Sequence, residues 1–305
     1  MRILIVGAGA TGGIIGAHLI NAGRDVTFLV REQRAAQLAR DGLQVLSANG
    51  NIELAPQTVI ASSIQSSYDI VLLAVKAYAV EGALEDMAPA VGPETVILPL
   101  LNGMLHVDLI ADRFGKDRLL GCACKVATSL DEKGRIVQQG AFFDLAYGEL
   151  NGSSSARLDR VDAFFRDAQF TTRISPRILR DMWEKWVLLS SMGSINCLMR
   201  GSIGEVAAAK GGIEFANTVI DEVVSVVKAT GVAPSDEFLV EARRLLTLRD
   251  SQQTSSMYRD LVAGRPIEAD QIVGDMLTRA TRAGIKTPCL AMAYANLQVY
   301  QSQQL

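Results

Sequence analysis

Residues 3–12, ILIVGAGATG, decide the fold of the first part of the chain. The four apolar residues predict a short strand, and the glycine-rich turn leads into a helical pattern. With this spacing Gly7 permits a tight turn, Gly9 leaves room for a pyrophosphate and Gly12 lets the helix approach the strand. We therefore expect a dinucleotide site, unless the segment is only a structural turn. Its members would be Gly7, Ala8, Gly9, Ala10, Thr11 and Gly12.

Outward from this turn, short apolar runs alternate with helical patterns as far as about residue 168. Such alternation is typical of a parallel sheet covered by helices. Beyond Pro176 the patterns are helical only, with a linker expected between Ala168 and Pro176. We therefore expect an α/β protein, with an N-terminal Rossmann-type parallel sheet domain over residues 1–172 and an all-helical C-terminal domain over residues 173–305.

Composition narrows the class of protein. Of the 305 residues 49% are hydrophobic and 21% charged, with a net charge of -3, which is typical of a packed globular chain. No basic run suggests a nucleic-acid partner, and no apolar stretch of about 18 residues suggests a membrane span. The cysteines lack zinc spacing, so no metal site is expected. We expect a cytoplasmic protein.

The end of the second predicted strand bears on the choice of dinucleotide. An acidic residue there usually holds the ribose hydroxyls of NAD, whereas this strand ends at Leu29-Val30-Arg31. Arg31 can pair with a 2′-phosphate, which favours NADPH over NADH. Glu32 is the competing residue, because a shift of one position would exchange the two side chains. A solvated pair of surface charges is the alternative.

A lysine lies on an apolar helical face in the second half of the chain. Lys185 has Met182, Leu188 and Leu189 at its i-3, i+3 and i+4 positions. It therefore either extends to water along its methylene stem or ends in a cleft, where its ammonium could protonate a carbonyl oxygen. Histidine is the usual donor for such chemistry, but the chain has only two, and neither lies in the helical half.

The chain resembles the ketopantoate reductase (2-dehydropantoate 2-reductase) family over essentially its whole length. Separated motifs carry the resemblance jointly, although only the glycine turn is specific by itself. The motifs are GAGATG at 7–12, VKAY at 75–78, LNGM at 101–104, WEK at 183–185, SSM at 255–257 and IEAD at 267–270.

The resemblance implies an NADP-dependent oxidoreductase that converts ketopantoate to pantoate in pantothenate biosynthesis. It also implies a site between the two domains. Lys185 would be the proton donor and substrate anchor, and Glu268 the acidic residue that positions it and bonds the substrate hydroxyl. Ser256 would contact the substrate carboxylate. Asn102 and Lys76 would lie near the nicotinamide, and Asn102 would also contact the substrate.

Departures from the family pattern leave the substrate open. Well-studied members carry asparagines four and eight residues after the lysine, where this chain has Leu189 and Gly193. Gln253 likewise stands where an asparagine is frequent, three residues before Ser256. A reductase of a different, less polar 2-oxo acid or ketone is therefore an alternative, and a non-catalytic dinucleotide sensor is another. The apolar helices between Gly212 and Thr247 could form a homodimer surface or pack internally, and we expect a homodimer.

Overall fold

The first apolar run forms strand β1 (Arg2–Val6) at the centre of a five-stranded sheet in the computed structural model, which describes residues 1–304. The other strands of this sheet are β2 (Asp25–Leu29), β5 (Gln57–Val59), β6 (Tyr68–Leu73) and β7 (Val91–Pro99). Their order is β5-β2-β1-β6-β7, and each pair is parallel. The predicted parallel sheet is confirmed.

Helices follow four of these strands in the chain. They are α1 (Ala10–Asn21), α2 (Glu32–Asp41), α3 (Val80–Met87) and α4 (Leu105–Phe114). Because β1 pairs with β2 on one side and β6 on the other, the strand order reverses at the carboxyl end of β1. In open α/β sheets, ligands bind at such a reversal. The fold therefore places the glycine turn at the point where this architecture forms a site.

A second sheet was not predicted. It contains β3 (Leu43–Leu46), β4 (Ile52–Leu54), β8 (Gly121–Leu130), β9 (Ile136–Gly148) and β10 (Thr171–Ile174), and α5 (Ala156–Phe165) lies between β9 and β10 in the chain. The long strands β8 and β9 form an antiparallel pair. Helix α1 packs between the two sheets, because Ile14 and Ile15 share one buried cluster with Ile3 of β1 and Leu145 of β9.

The remainder of the chain is helical, as predicted. It contains α6 (Ile178–Met199), α7 (Ile203–Ala208), α8 (Gly212–Thr230), α9 (Asp236–Leu246), α10 (Ser256–Val262), α11 (Asp275–Arg282) and α12 (Pro288–Ser302). A π-helical stretch, Asp270–Gly274, leads directly into α11. Serines begin several of these helices because a hydroxyl accepts an otherwise unpaired amide hydrogen there. Ser202, for example, forms a capping box with Glu205.

The chain divides into two compact units. The first comprises Met1–Leu101 and His106–Leu179, and the second comprises Asn102–Leu105 and the chain from Arg180 onward. The division at Leu179 falls later than the predicted boundary after residue 172, because β10 pairs with β9 and Ser175 donates its amide hydrogen to the Tyr147 carbonyl. The segment predicted to be a linker thus contains a strand.

The apolar face of α8 is used within its own unit. Val219, Ile220 and Val223 are fully buried, and α8 contacts α7, α9, α11 and α12. This packing removes the reason to place a dimer surface on this face. Among residues 1–304, no helix is long and apolar enough to cross a bilayer.

Candidate active site

The glycine turn of the first unit follows β1 with the geometry that its sequence predicts. Gly7 has a φ of +100°, a conformation that glycine adopts without strain. Its amide hydrogen bonds to the Leu29 carbonyl at 3.0 Å, and the Ala74 amide hydrogen bonds to the Val6 carbonyl at 3.0 Å. The turn is thereby tied to the carboxyl ends of β2 and β6.

The other two glycines of the turn differ in what surrounds them. A Cβ added at Gly12 would stand 2.3 Å from the Gly7 carbonyl oxygen and 2.9 Å from the Ala74 Cβ, so only glycine lets α1 approach β1 this closely. A Cβ at Gly9 would meet no atom within 4 Å. Helix α1 has no acidic residue in its first turn, so its N-terminal amides favour an anion. These features fit a dinucleotide pyrophosphate.

Charged side chains flank this turn. Arg31 and Glu32 are both exposed at the start of α2, directly beyond β2. Lys76 is also exposed and begins a short 3₁₀ turn after β6. The half-buried Arg34, which sequence analysis missed, donates from Nη2 to the Ala8 carbonyl at 3.0 Å. Burial lowers the pKa of Arg34 below its ordinary value. The spacing of Arg31 and Arg34, one helical turn, was the available signal.

Lys185 and Glu268 lie in the second unit, on segments that are directly bonded to each other. Lys185 is half-buried on α6, and Glu268 is 7% exposed just before the π-helical stretch. From α6, Trp186 Nε1 and Ser190 Oγ donate to the Ile272 carbonyl at 3.0 and 2.6 Å. The Ile272 amide hydrogen bonds to the Glu268 carbonyl at 3.0 Å. The backbone of Ile272 therefore links the two segments.

Ser256 lies at the start of α10, which is also anchored to α6. The preceding residue, Ser255, is the N-cap of α10, and its Oγ accepts the Tyr258 amide hydrogen at 3.1 Å. The Ser255 amide hydrogen in turn bonds to Asn196 Oδ1 of α6 at 2.8 Å. Ser256 itself is half-buried. The Ser255 cap and the hydrogen bond to the Asn196 side chain together determine where α10 begins.

Asn102 belongs to a turn that lies against the π-helical stretch. Its neighbour Gly103 has a φ of +80°, and a Cβ there would stand 2.8 Å from the Gln271 carbonyl oxygen. Only glycine therefore permits this approach. The second unit thus brings together the elements that carry Lys185, Glu268, Ser256 and Asn102, whereas the glycine turn, Arg31 and Lys76 belong to the first unit.

Two of the three positions that depart from the family pattern lie on α6 beyond Lys185. Leu189 is half-buried one turn beyond Lys185, and Gly193 is buried a further turn along α6. The neighbours of Gly193 are Met257 of α10 and, more distantly, Ile272. The space beside Gly193 is therefore filled by the Met257 side chain. Gln253, the third departure, is exposed.

The two histidines are packing residues. The His18 ring lies edge-on to Phe143 and Phe170, with centroids 6.0 and 5.9 Å away, and burial lowers the pKa of His18. His106 is fully buried in α4. Helix α4 begins one residue before it, at Leu105. Across residues 1–304, no group of His, Cys, Asp and Glu is arranged to hold a metal ion.

Family models match both units. The model described as "Ketopantoate reductase PanE/ApbA" matches residues 3–152, and "Ketopantoate reductase PanE/ApbA C terminal" matches residues 177–301. Together these matches span nearly all of the elements described above, including the glycine turn and the segments that carry Lys185 and Glu268.

Individual proteins agree with this assignment. The chain is 34% identical to the uncharacterized oxidoreductase YkpB of Bacillus subtilis over 304 residues, covering 100% of both chains. It is 26% identical to a 2-dehydropantoate 2-reductase of Streptococcus pyogenes, covering 96% of this chain and 95% of the relative.

Solved structures show the same fold. A 2-dehydropantoate 2-reductase from Geobacter metallireducens superposes with a TM-score of 0.87 at 28% identity, covering 98% of this chain and 99% of that one. A D-mandelate dehydrogenase with NADH and anilino(oxo)acetate has a TM-score of 0.89 at 20% identity, covering 100% and 99%. This chain is an oxidoreductase that belongs to the ketopantoate reductase family.

Proposed function

We propose that this protein is an NADPH-dependent reductase of 2-oxo acids, and that its substrate is 2-dehydropantoate (ketopantoate), which it reduces to pantoate. The observation that carries the proposal is the bonding of the Lys185 segment to the Glu268 segment through Ile272 in the second unit. It places an amine and a carboxylate on adjoining elements. The glycine turn of the first unit supplies the dinucleotide site.

Lys185 is the proton donor in this proposal. When bound, the reduced nicotinamide supplies a hydride to the carbonyl carbon of the substrate. The Lys185 ammonium donates a proton to the carbonyl oxygen, so the carbonyl becomes a secondary alcohol and the amine is left neutral. Before that step, the same ammonium holds the substrate by bonding to this oxygen.

Four further side chains have proposed roles. Glu268 orients the Lys185 amine and accepts a hydrogen bond from the substrate hydroxyl. Ser256 donates its hydroxyl hydrogen to the substrate carboxylate, from the first turn of α10. Asn102 contacts the substrate and the nicotinamide end of the cofactor, and Lys76 also contacts the cofactor. A half-buried or buried setting favours these roles for Ser256, Asn102 and Glu268, because partial removal from water strengthens charge-assisted hydrogen bonds.

Arg31 and Arg34 support NADPH as the cofactor. Arg31 is exposed at the end of β2, where a 2′-phosphate would be recognised. Arg34 adds a second guanidinium bonded to the glycine turn itself. Two arginines so close to this turn favour a phosphate over the bare ribose hydroxyls of NADH.

A second candidate is a 2-oxo acid with a less polar side chain. Leu189, one turn after Lys185 on α6, is half-buried and carries a hydrocarbon side chain. Such a side chain contacts hydrocarbon more favourably than the hydroxyl of ketopantoate. The same fold serves a D-mandelate dehydrogenase, so the fold alone is compatible with an aromatic substrate.

Turnover measurements with NADPH test the proposal. Ketopantoate, an aliphatic 2-oxo acid and phenylglyoxylate should be compared by kcat/KM. Lys185→Ala should reduce kcat by roughly 10² to 10⁴ with NADPH affinity preserved. Lys228→Ala, at an exposed lysine of α8, is the matched control and should behave as the wild type. Full activity of Lys185→Ala would exclude the mechanism. A far higher kcat/KM for another 2-oxo acid would show that ketopantoate is not the substrate.

Cellular context completes the proposal. We place the enzyme in the cytoplasm, in pantothenate biosynthesis, as a homodimer whose surface is not the apolar face of α8, because that face is buried within the unit. Light scattering of the purified protein measures the oligomeric state directly. Restoration of growth without pantothenate in a strain that lacks ketopantoate reductase tests the pathway.

A further inference from the structure

The helix that carries Lys185 meets an irregular stretch of backbone. In Asp270–Gly274 the backbone hydrogen bonds span five residues, as in a π-helix, instead of the four of an α-helix. The Asp275 amide hydrogen, for example, bonds to the Asp270 carbonyl. Single π-helical turns are rare and often occur at functional sites. Here the π-helical stretch begins two residues after Glu268, and a Cβ at its last residue, Gly274, would stand 2.9 Å from the ring of Tyr294.

Within this stretch, the Ile272 carbonyl oxygen accepts two side-chain donors. Trp186 Nε1 lies 3.0 Å and Ser190 Oγ 2.6 Å from it, and both residues are fully buried. They occupy positions i and i+4 of α6, so they share one helix face. Because the Ile272 amide hydrogen also bonds to the Glu268 carbonyl, one residue connects both segments. We call these four residues (Trp186, Ser190, Ile272 and Glu268) the Ile272 junction.

Arg279 of α11 makes a second contact with α6. Its guanidinium carbon lies 5.4 Å from the ring centroid of Trp183 and 5.4 Å from that of Trp186. Asp275 fixes this guanidinium, with both carboxylate oxygens 3.2 Å from Nε. The tryptophans therefore contact α11 from both sides of Lys185 in the sequence. Contacts of Arg279 with residues on both sides of Lys185 therefore add to the hydrogen bonds at Ile272 in joining α6 to α11 and the stretch that precedes it.

From this geometry we propose that Trp186 and Ser190 are positioning residues for the reaction, acting through the Ile272 carbonyl to set the Lys185 amine relative to Glu268. The inference rests on the proposed function. Both side chains are fully buried, so their role is positioning and not direct contact with the substrate. A displacement of about 1 Å at a reacting group can cost roughly a hundredfold in rate, so a junction that fixes both partners affects kcat.

Two adjacent serines allow a matched test. Ser190 and Ser191 are both fully buried on α6, but the Ser191 hydroxyl has no hydrogen-bond partner within the part of the chain that the structure describes. Ser190→Ala should lower kcat by about tenfold or more without changing the KM for NADPH. Ser191→Ala should leave both constants close to the wild-type values. Trp186→Phe, which keeps an aromatic side chain but lacks Nε1, should resemble Ser190→Ala.

The double variant adds a further test of the shared acceptor. Trp186 and Ser190 donate to the same oxygen. The loss of kcat in the double variant should therefore differ from the product of the losses in Ser190→Ala and Trp186→Phe. All assays are run well below the thermal unfolding midpoint of each variant, so that a loss of folded protein does not imitate a loss of kcat.

The outcomes separate the two hypotheses. A wild-type enzyme that reduces 2-oxo acids, with Ser190→Ala and Trp186→Phe as active as Ser191→Ala, overturns the positioning role and leaves the proposed function intact. A wild-type protein that reduces no 2-oxo acid with NADPH overturns the proposed function, and the positioning role with it. A selective fall in kcat in the two junction variants establishes the role.

Discussion

The terminal methyl carbon of Met257 lies 2.7 Å from the point where a Cβ on Gly193 would stand. Met257 is 3% exposed, so its side chain is part of the packed interior between α10 and α6. The absence of a side chain at residue 193 and the presence of methionine at residue 257 are therefore one structural feature. It explains how this chain tolerates a glycine in the middle of α6 at a position where its family often has an asparagine.

A methyl group added at Gly193 should stabilise the protein less than one added at an open helical glycine. Gly193→Ala gains about 0.5–1 kcal/mol of helix propensity, but Met257 Cε, the end of a flexible side chain, must shift within a packed interior, and this shift offsets part of the gain. We expect a free energy of unfolding close to that of the wild type, measured by urea denaturation. Gly82→Ala is the matched control, since Gly82 lies exposed in α3 with no atom within 4 Å of an added Cβ. It should be stabilised. Equal stabilisation at both sites would disprove the packing argument.

Substitution of the second and third glycines of the turn, Gly9 and Gly12, should affect different properties of the protein. Gly12→Ala places a Cβ 2.3 Å from the Gly7 carbonyl oxygen, so it should lower the melting temperature. Gly9→Ala meets no protein atom within 4 Å and should fold normally, yet it should weaken NADPH binding by about tenfold or more because the pyrophosphate approaches there. Thermal unfolding and nucleotide titration separate the two effects. Normal NADPH affinity in folded Gly9→Ala would remove this glycine from the site.

The elements that could be predicted from the sequence are those that short-range residue patterns determine. The strand before Gly7, the turn itself and α8 follow from apolar periodicity and from glycine and serine placement. The second sheet was missed because β3 and β4 are short, and because β9 continues over residues that alternate less regularly, such as Gln138 to Phe142. These strands are stabilised by pairing with strands distant in the chain, and not by the conformational preference of their own residues.

The contacts that organise the candidate site are long-range. The Trp186 and Ser190 donors reach a carbonyl 86 and 82 residues away in the chain, and Arg34 bonds to a carbonyl 26 residues away. No periodicity identifies a backbone acceptor. Lys185 stood out because a charge interrupts an apolar face, whereas Trp186 and Ser190 have the composition expected of any buried helix. Sequence reasoning therefore finds the charged members of a site more readily than the residues that hold them.

Cofactor preference should depend on Arg31. Arg31→Asp removes a positive charge at the end of β2 and adds a negative one, so kcat/KM with NADPH should fall relative to NADH by about tenfold or more. Arg40→Asp is the control on the same helix, because Arg40 is exposed and pairs with Asp41. Steady-state kinetics with both nucleotides measure the ratio. An unchanged ratio in Arg31→Asp would show that the 2′-phosphate is recognised elsewhere, with Arg34 the next residue to replace.

Acid should weaken the first unit through Glu149. This carboxylate is 8% exposed and bonds to Arg157 Nη2 at 2.5 Å and to Ser155 Oγ at 2.5 Å. The Arg157 guanidinium, with a smaller contribution from Ser155, holds the pKa of Glu149 below its ordinary value of 4.5. A depressed carboxyl pKa adds stability above the unfolded-state pKa, and that stability is lost as the pH falls through the folded-state value.

Glu149→Gln isolates this contribution. At pH 7 the variant should be less stable than the wild type by about 1–3 kcal/mol, since a buried charged hydrogen-bond acceptor is replaced by a neutral amide. Below the folded pKa the wild-type carboxyl is itself protonated, so the two stability curves should converge as the pH falls from about 4.5. Glu241→Gln, in an exposed pair with Arg244, should follow the wild type at every pH. Urea denaturation between pH 3 and pH 7, within the range where folding is reversible, gives the curves. If the gap between Glu149→Gln and the wild type stayed constant across that range, the ion pair with Arg157 would not be the source of the acid sensitivity.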